Sequence, residues 1–298
     1  MPNWNEILDE IQQNSAPFDT VRRRYLRKLH ERTKRNIISY YSGWLAKPGA
    51  NFTSISDLDM EGFMNAMKGL DYSKGLDLLL HTPGGDIAAT EAIVKYLRSK
   101  FDVDIRVIVP QLAMSAGTMI ACSGKEIVMG NQSSLGPIDP QIPQINGYVP
   151  AFNIMREYKE AKADLSEHPE NAHYWSVRLQ GLSPAIIQHC ENAITLSSEL
   201  TKNWLKTGMF NKSIKDGGFI DTLVDENLNE NSASKIHGRH FDKAHCIRIG
   251  LNIISLEDDD CFQDDVLSVH HAYALTLSNT PASKIIENHN GAACIRSI

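Results

Sequence analysis

Apolar positions along this chain keep two rhythms. Trp4, Ile7, Leu8 and Ile11 recur at helical spacing, as do Ile87, Ala88, Ile93, Val94 and Leu97 within 86–100. Between such stretches lie short apolar runs at 36–41, 76–80, 104–109 and 127–129. Unbroken runs of this kind suit strands buried on both faces, the habit of parallel sheets. A helix is expected from about Ile55 through Gly69, capped by Ser56 or Asp57. Others are expected over 115–123, over 150–164 with Phe152, Met155 and Tyr158 on one side, and over 264–278. A long helix over 184–207 would open with a Ser183 cap and Pro184 in its first turn. Strand and helix in alternation predict an α/β fold around a mainly parallel sheet.

Composition narrows the class. The 298 residues can bury one large core or two unequal ones, and 42% hydrophobic with 22% charged residues is ordinary for a soluble globular protein. Three regions are expected: a helical extension at 1–35, a main domain at 36–256 and a helical tail at 257–298. A net charge of −6 gives no overall pull toward nucleic acid or anionic membrane. The basic stretch 21–36 reads first as a solvated helix packing Tyr25, Leu26 and Leu29, its charges answered by acidic groups elsewhere. No run of about 18 uncharged apolar residues occurs, and the N-terminus is polar and acidic, unlike a secretory signal. Five scattered cysteines without a C-x-x-C pair indicate neither zinc nor a disulfide framework and suit a reducing compartment. A cytoplasmic protein without membrane or nucleic-acid partner is expected.

Candidate chemistry concentrates in 76–145. The run Val107-Ile108-Val109 stops at Pro110, and Ala113-Met114-Ser115-Ala116-Gly117-Thr118 leads into a helix. A strand that breaks sharply into a helix lifts one side chain clear and leaves free N–H groups beside it. The nucleophile elbow of acyl-transfer enzymes has this shape, although the G-x-S-x-G spelling is absent. Upstream, Leu76-Asp77-Leu78-Leu79-Leu80 ends in His81-Thr82-Pro83-Gly84-Gly85-Asp86, a turn whose glycines let backbone approach a ligand and present its N–H.

Together, HTPGGD (81–86), AMSAGT (113–118) and SSLGPIDPQI (133–142) resemble the Clp protease/crotonase superfamily. The resemblance is closest to its serine-protease branch, which holds Clp protease, signal peptide peptidase A and the serine dehydrogenase proteinases. It covers roughly 36–255 and includes Gly238-Arg239, Ala244 and Gly250-Leu251 near its end. It implies a fold of ββα units wound into a superhelix, with 36–256 as a protease domain. It also implies a Ser115 nucleophile, an oxyanion hole from Gly85 (with Gly84 adjacent) and Ala116, and extended substrate paired along Gly136, Pro137, Ile138 and Asp139. A homo-oligomer is implied, and any unfolding ATPase or activator would be a separate partner, since no G-x-x-x-x-G-K-[ST] occurs. Neither cofactor nor metal is expected.

The proton acceptor is open. The place where Clp protease carries its histidine holds Asp139 and Pro140 here. The resemblance to lysine-using relatives points to Lys159 on the helix after the cleft strand, with Lys162 one turn on. A lysine must be lowered by roughly 3 pKa units through burial to accept a proton at neutral pH. Lys159 follows Met155 by one turn, so the two share a face that could be buried. His81, beside Pro-Gly-Gly, is a further alternative, whereas Asp139 could orient the base or cap its turn. Two other readings remain: a crotonase-like acyl-CoA enzyme, opposed by the serine at the elbow, and a non-catalytic binding module that keeps the fold.

Overall fold

The main sheet holds seven strands in the order β10-β5-β3-β2-β1-β11-β12. β1 (Asn36–Ser42), β2 (Leu76–His81), β3 (Ile105–Val109), β5 (Glu126–Met129) and β10 (Ile253–Ser255) run parallel. β11 (Ala282–Asn288) joins β1 antiparallel and β12 (Ala293–Ser297) joins β11 antiparallel. A second sheet sets β6 (Ser134–Leu135) between β4 (Leu112–Ala113) and β9 (Phe241–Asp242), and β7 (Gln141–Gln144) pairs with β8 (Gly147–Pro150). β3 thus runs on into β4 and β5 into β6, each a strand pair of the ββα kind. This computed structural model describes residues 4–13, 18–144, 147–183, 185–211, 217–229 and 238–298.

The expected strands form because their apolar runs serve two cores at once. Ile38, Tyr40, Leu78, Leu80, Val107 and Val109 face one core, with α3 (Asp59–Ala66), α4 (Ile87–Phe101) and α5 (Ala116–Ser123). Their neighbours Ile37, Tyr41, Leu79 and Ile108 face the other, with α1 (Trp4–Gln13), α2 (Phe18–Thr33) and α11 (Asp260–Asn279). Successive strand residues point to opposite faces, so a continuous apolar run can be buried on both. A smaller core joins α6 (Ala151–Glu167) to α8 (Ile186–Thr207) through Ile154, Met155 and Cys190, and α7 (Ala172–Leu179) lies between them in sequence. The remaining helices are α9 (Gly217–Thr222), which a π-helical turn at Leu223–Leu228 follows, and α10 (Lys243–Arg248).

Both ends of the chain belong to this framework. α2 buries Val21, Tyr25, Leu26 and Leu29 in the core it shares with α11. Its basic residues and Arg35 just after it find carboxylates within the chain: Arg22 and Arg23 meet Glu287, Arg24 meets Glu10, Lys28 and Arg32 meet Asp265, and Arg35 meets Asp77 and Asp104. The stretch 257–298, expected as a helical tail, instead supplies α11 and then two strands of the main sheet. Every residue of β11 is buried, Lys284 and Glu287 included.

Two helix starts differ from expectation. α3 begins at Asp59, without a side-chain cap from Ser56 or Asp57. Asp59 is held by the Lys284 ammonium, and the Ser56 N–H donates back to Asp59 Oδ2 at 3.0 Å, so the chain ahead of the helix is a turn. α8 begins at Ile186 after Ala185 in a left-handed conformation (φ 66°), so Ser183 is no cap, and Pro184 lies outside the described residues. The helical part of the 230–256 pattern falls largely outside them too, whereas Gly238-Arg239, Ala244 in α10 and Gly250-Leu251 lie within.

Candidate active site

Ser115 stands between β4 and α5 with φ 54° and ψ −120°, a conformation that costs a non-glycine residue on the order of 1–3 kcal/mol. Its surroundings hold it there. The Met114 N–H donates to Thr82 O (3.0 Å), Gly117 N–H to Met114 O (2.8 Å) and Thr118 N–H to Ser115 O (2.8 Å). Thr118 Oγ1 lies 2.9 Å from Ala113 O and accepts from the Gly136 N–H at 3.0 Å. The turn that results leaves Ser115 partly exposed while Ala116, Gly117 and Thr118 are buried.

The Gly-Gly turn lies directly against this elbow. Thr82 bridges Ala113 as a parallel neighbour, and a Cβ placed on Gly84 would come within 2.7 Å of Met114 O and Ser115 Cβ and 3.0 Å of Ala116 N. Gly84 has φ +98°, which an L side chain rarely adopts, so the position requires glycine for backbone shape as well as space. Gly84 O accepts from the Ile55 N–H at 2.8 Å. In a trans peptide the next N–H points the opposite way, so this bond turns the Gly85 N–H away from Ile55. Likewise Ser115 O accepts from Thr118 and Met119, which aims the Ala116 N–H out of the first turn of α5. Neither N–H has a protein acceptor among the described residues. Two free donors beside a partly exposed hydroxyl form an arrangement that can hold an oxyanion.

The stretch 136–140 passes beside the elbow, with Met114 packed on Gly136, whose added Cβ would meet Met114 Sδ at 3.1 Å. Gly136, Pro137, Ile138 and Asp139 are all buried. The Ile138 N–H already donates to Leu228 O at 2.9 Å, and Gln141 Nε2 donates to Asp139 Oδ2 at 2.7 Å. The π-helical turn that carries Leu228 therefore takes one backbone donor of the stretch expected to pair with substrate.

The three candidate bases differ in their surroundings. α6 buries Ala151, Ile154, Met155 and Ala161, and leaves Lys159 and Lys162 exposed in the single chain. Met155 and Lys159 thus part company at the edge of the buried face. His81 turns to the sheet face opposite α5. There it packs on Trp44 (ring centroids 4.4 Å apart) and near Tyr41 and His270, and its Nδ1 accepts from the Leu112 N–H. Burial, reinforced by His270, holds its pKa well below the ordinary histidine value. Sequence reasoning gave no role to Thr82 and Thr118, although both stand inside the quoted motifs. Their hydroxyls tie the two halves of the site to their neighbours.

A mainly parallel α/β framework with an elbow serine, an apposed Gly-Gly turn and two free N–H groups defines the Clp-like class of serine peptidase folds. Residues 8–170 match the family described as ClpP-like SDH-type serine proteinase, and the chain belongs to that family. Two uncharacterized proteins of Methanocaldococcus jannaschii are similar to it. One is 33% identical over 152 residues (49% of this chain, 51% of the relative), the other 36% identical over 115 (39% and 37%). The chain spans about half the length, or less, of these relatives. A mutant of the 1510-N membrane-bound stomatin-specific protease is a further likeness among solved structures, at 14% identity and a TM-score of 0.40. That match covers 71% of this chain and 79% of the other. Among the described residues no helix is long and apolar enough to cross a membrane.

Proposed function

We propose that the chain hydrolyses peptide bonds through an acyl-enzyme on Ser115. The observation that carries this is the strained backbone of Ser115 seated against Gly84, with the N–H groups of Gly85 and Ala116 free beside it. Ser115 Oγ attacks the carbonyl carbon, and the two N–H groups hold the tetrahedral oxyanion, each worth about 3 kcal/mol of barrier. A base takes the hydroxyl proton and returns it to the leaving amine, and water then releases the acyl group. The reaction so written uses no cofactor and no metal.

Lys159 is the base in this reading, with Lys162 behind it. Lys159 is exposed in the single chain. A lysine accepts a proton near neutrality only when stripped of water. The active form is therefore a homo-oligomer in which a second copy covers α6. Extended peptide or unfolded protein is the substrate, fed in the cytoplasm by a separate ATPase or activator. It pairs along 136–139 once the Leu223–Leu228 turn withdraws from Ile138.

Intact-mass analysis after fluorophosphonate treatment of wild type, Ser115→Ala and Lys159→Ala tests this. One adduct on wild type, lost in both variants, is expected. An adduct that survives Lys159→Ala but not Ser115→Ala moves the base to another residue. The exposure of Lys159 favours a second reading, a binding module of the same fold, and the absence of adduct from all three forms would leave that module, or an inactive state awaiting a partner, as the better account.

A further inference from the structure

We infer that Lys284, on β11 near the end of the chain, is a positioning residue for the Gly84-Gly85 turn. The inference rests on the reading of Ser115 and the Gly85 N–H given above.

Lys284 is 1% exposed and Asp59 is 2% exposed, an unusual place for either charge. Two routes lead from the ammonium to Gly84. Along the main chain, Nζ donates to Ser54 O at 2.7 Å. The next residue, Ile55, pairs with the turn on both sides: its N–H donates to Gly84 O (2.8 Å) and its carbonyl accepts from the Asp86 N–H (3.0 Å). Along side chains, Nζ donates to both oxygens of Asp59 at 2.7 and 2.9 Å. Asp59 Oδ2 also accepts from Tyr40 OH at 2.8 Å, the Tyr40 hydroxyl is set against Thr82, and Thr82 Oγ1 accepts from the Gly84 N–H at 3.1 Å. Thr82, Tyr40, Asp59 and Lys284 are all buried.

Both backbone groups of Gly84 are thereby fixed, the carbonyl by a chain that ends on the ammonium and the N–H by Thr82. The Gly84 carbonyl and the Gly85 N–H belong to one planar peptide, so whatever orients the first orients the second. A preorganised donor lowers a barrier only if it is held where the charge will develop, and a small misplacement costs much of the rate. An ammonium buried beside the 54–59 turn can hold it more firmly than neutral groups, since charge-assisted bonds are roughly twice as strong. Lys284 does not touch substrate in this account, and it stays an ammonium paired with Asp59.

The test separates the inactivation constant kinact from the binding constant KI for fluorophosphonate on the full-length chain. Three forms are compared: wild type, the charge-neutral pair variant Lys284→Met/Asp59→Asn, and Tyr40→Phe. Folding of each is checked by thermal melting. A variant that melts within a few degrees of wild type should label Ser115 with kinact lower by about tenfold or more and KI within about threefold. A role in stability alone would move the melting temperature and leave kinact in place. Should the pair variant not fold, Tyr40→Phe, which strands no buried cation, carries the test. A folded variant labelled at the wild-type rate overturns the inference. If wild type itself takes no adduct at Ser115, it is the peptidase reading that fails.

Discussion

Gly84 and Ser115 are in van der Waals contact across the junction of two strand ends, so closely that a methyl group on Gly84 would lie 2.7 Å from Ser115 Cβ. The turn and the elbow are one unit, and neither can change shape without the other.

Gly84→Ala tests that unit. The new Cβ meets Met114 O and the Ser115 side chain at a backbone angle that L residues rarely adopt, so both strain and contact oppose it. A stability loss of about 2 kcal/mol is expected. Ser115 labelling should fall by a larger factor than stability alone explains. Urea unfolding and fluorophosphonate kinetics on one preparation check both.

Ser115 itself should show the signature of strain. Glycine adopts φ 54° without the steric penalty, although its unfolded chain is freer. Ser115→Gly is therefore expected to be about 1 kcal/mol more stable than Ser115→Ala, with both inert to fluorophosphonate. Equal melting temperatures for the two would argue against a strained elbow.

Acid should weaken the fold through the buried histidines. Burial, aided by His271, pushes His270 from its ordinary 6.5 to about 3, and it packs against Tyr41 and His81. Between those values the unfolded chain binds a proton that the folded chain refuses. The stabilising effect of neutral His270 is complete above pH 6.5 and is lost as pH falls toward 3. From this group alone, about 3 kcal/mol should disappear between pH 7 and pH 4. His270→Gln should remove that part of the slope in urea midpoints measured at both pH values.

Glu287→Ala should be severe. Glu287 accepts from Arg22 Nε at 2.7 Å, and from Arg23 and Tyr273, and both Glu287 and the Arg22 side chain are fully buried. Removing the carboxylate leaves a buried guanidinium with only the part-exposed Asp19 as counter-charge, which costs about 3 kcal/mol. The midpoint of urea unfolding reads this directly, and a shift under 1 kcal/mol would mean that water reaches Arg22.

What the sequence disclosed follows from the reach of each signal. The strands at 36–42, 76–81, 105–109 and 126–129 and the elbow at Ser115 are written in contiguous runs. Local pattern was enough to find them. β11 was not legible because Lys284 and Glu287 interrupt its apolar run, and their partners lie 225 and 265 residues away at Asp59 and Arg22. The same distant lysine engages Asp59 at the start of α3, a partner that local rules for helix starts do not reveal. The Ile138 N–H is held by the Leu228 carbonyl, and no spacing rule joins the two. In α6, helical periodicity placed Met155 and Lys159 on one face, whereas the buried strip is narrower than that and ends between them.

The pairing of β1 with β11 also dictates when this chain can fold. β1 and α2 are made well before the strand and helix that cover them, β11 and α11. Until then an all-buried strand has one bare edge, and Arg22 has only Asp19 of its own helix as a partner, without Glu287. An exposed apolar edge invites pairing with other chains, and contacts this distant in sequence form slowly. That bare edge of β1 is therefore where association between incompletely folded chains would begin, and the sheet is complete only once β11 has paired with it.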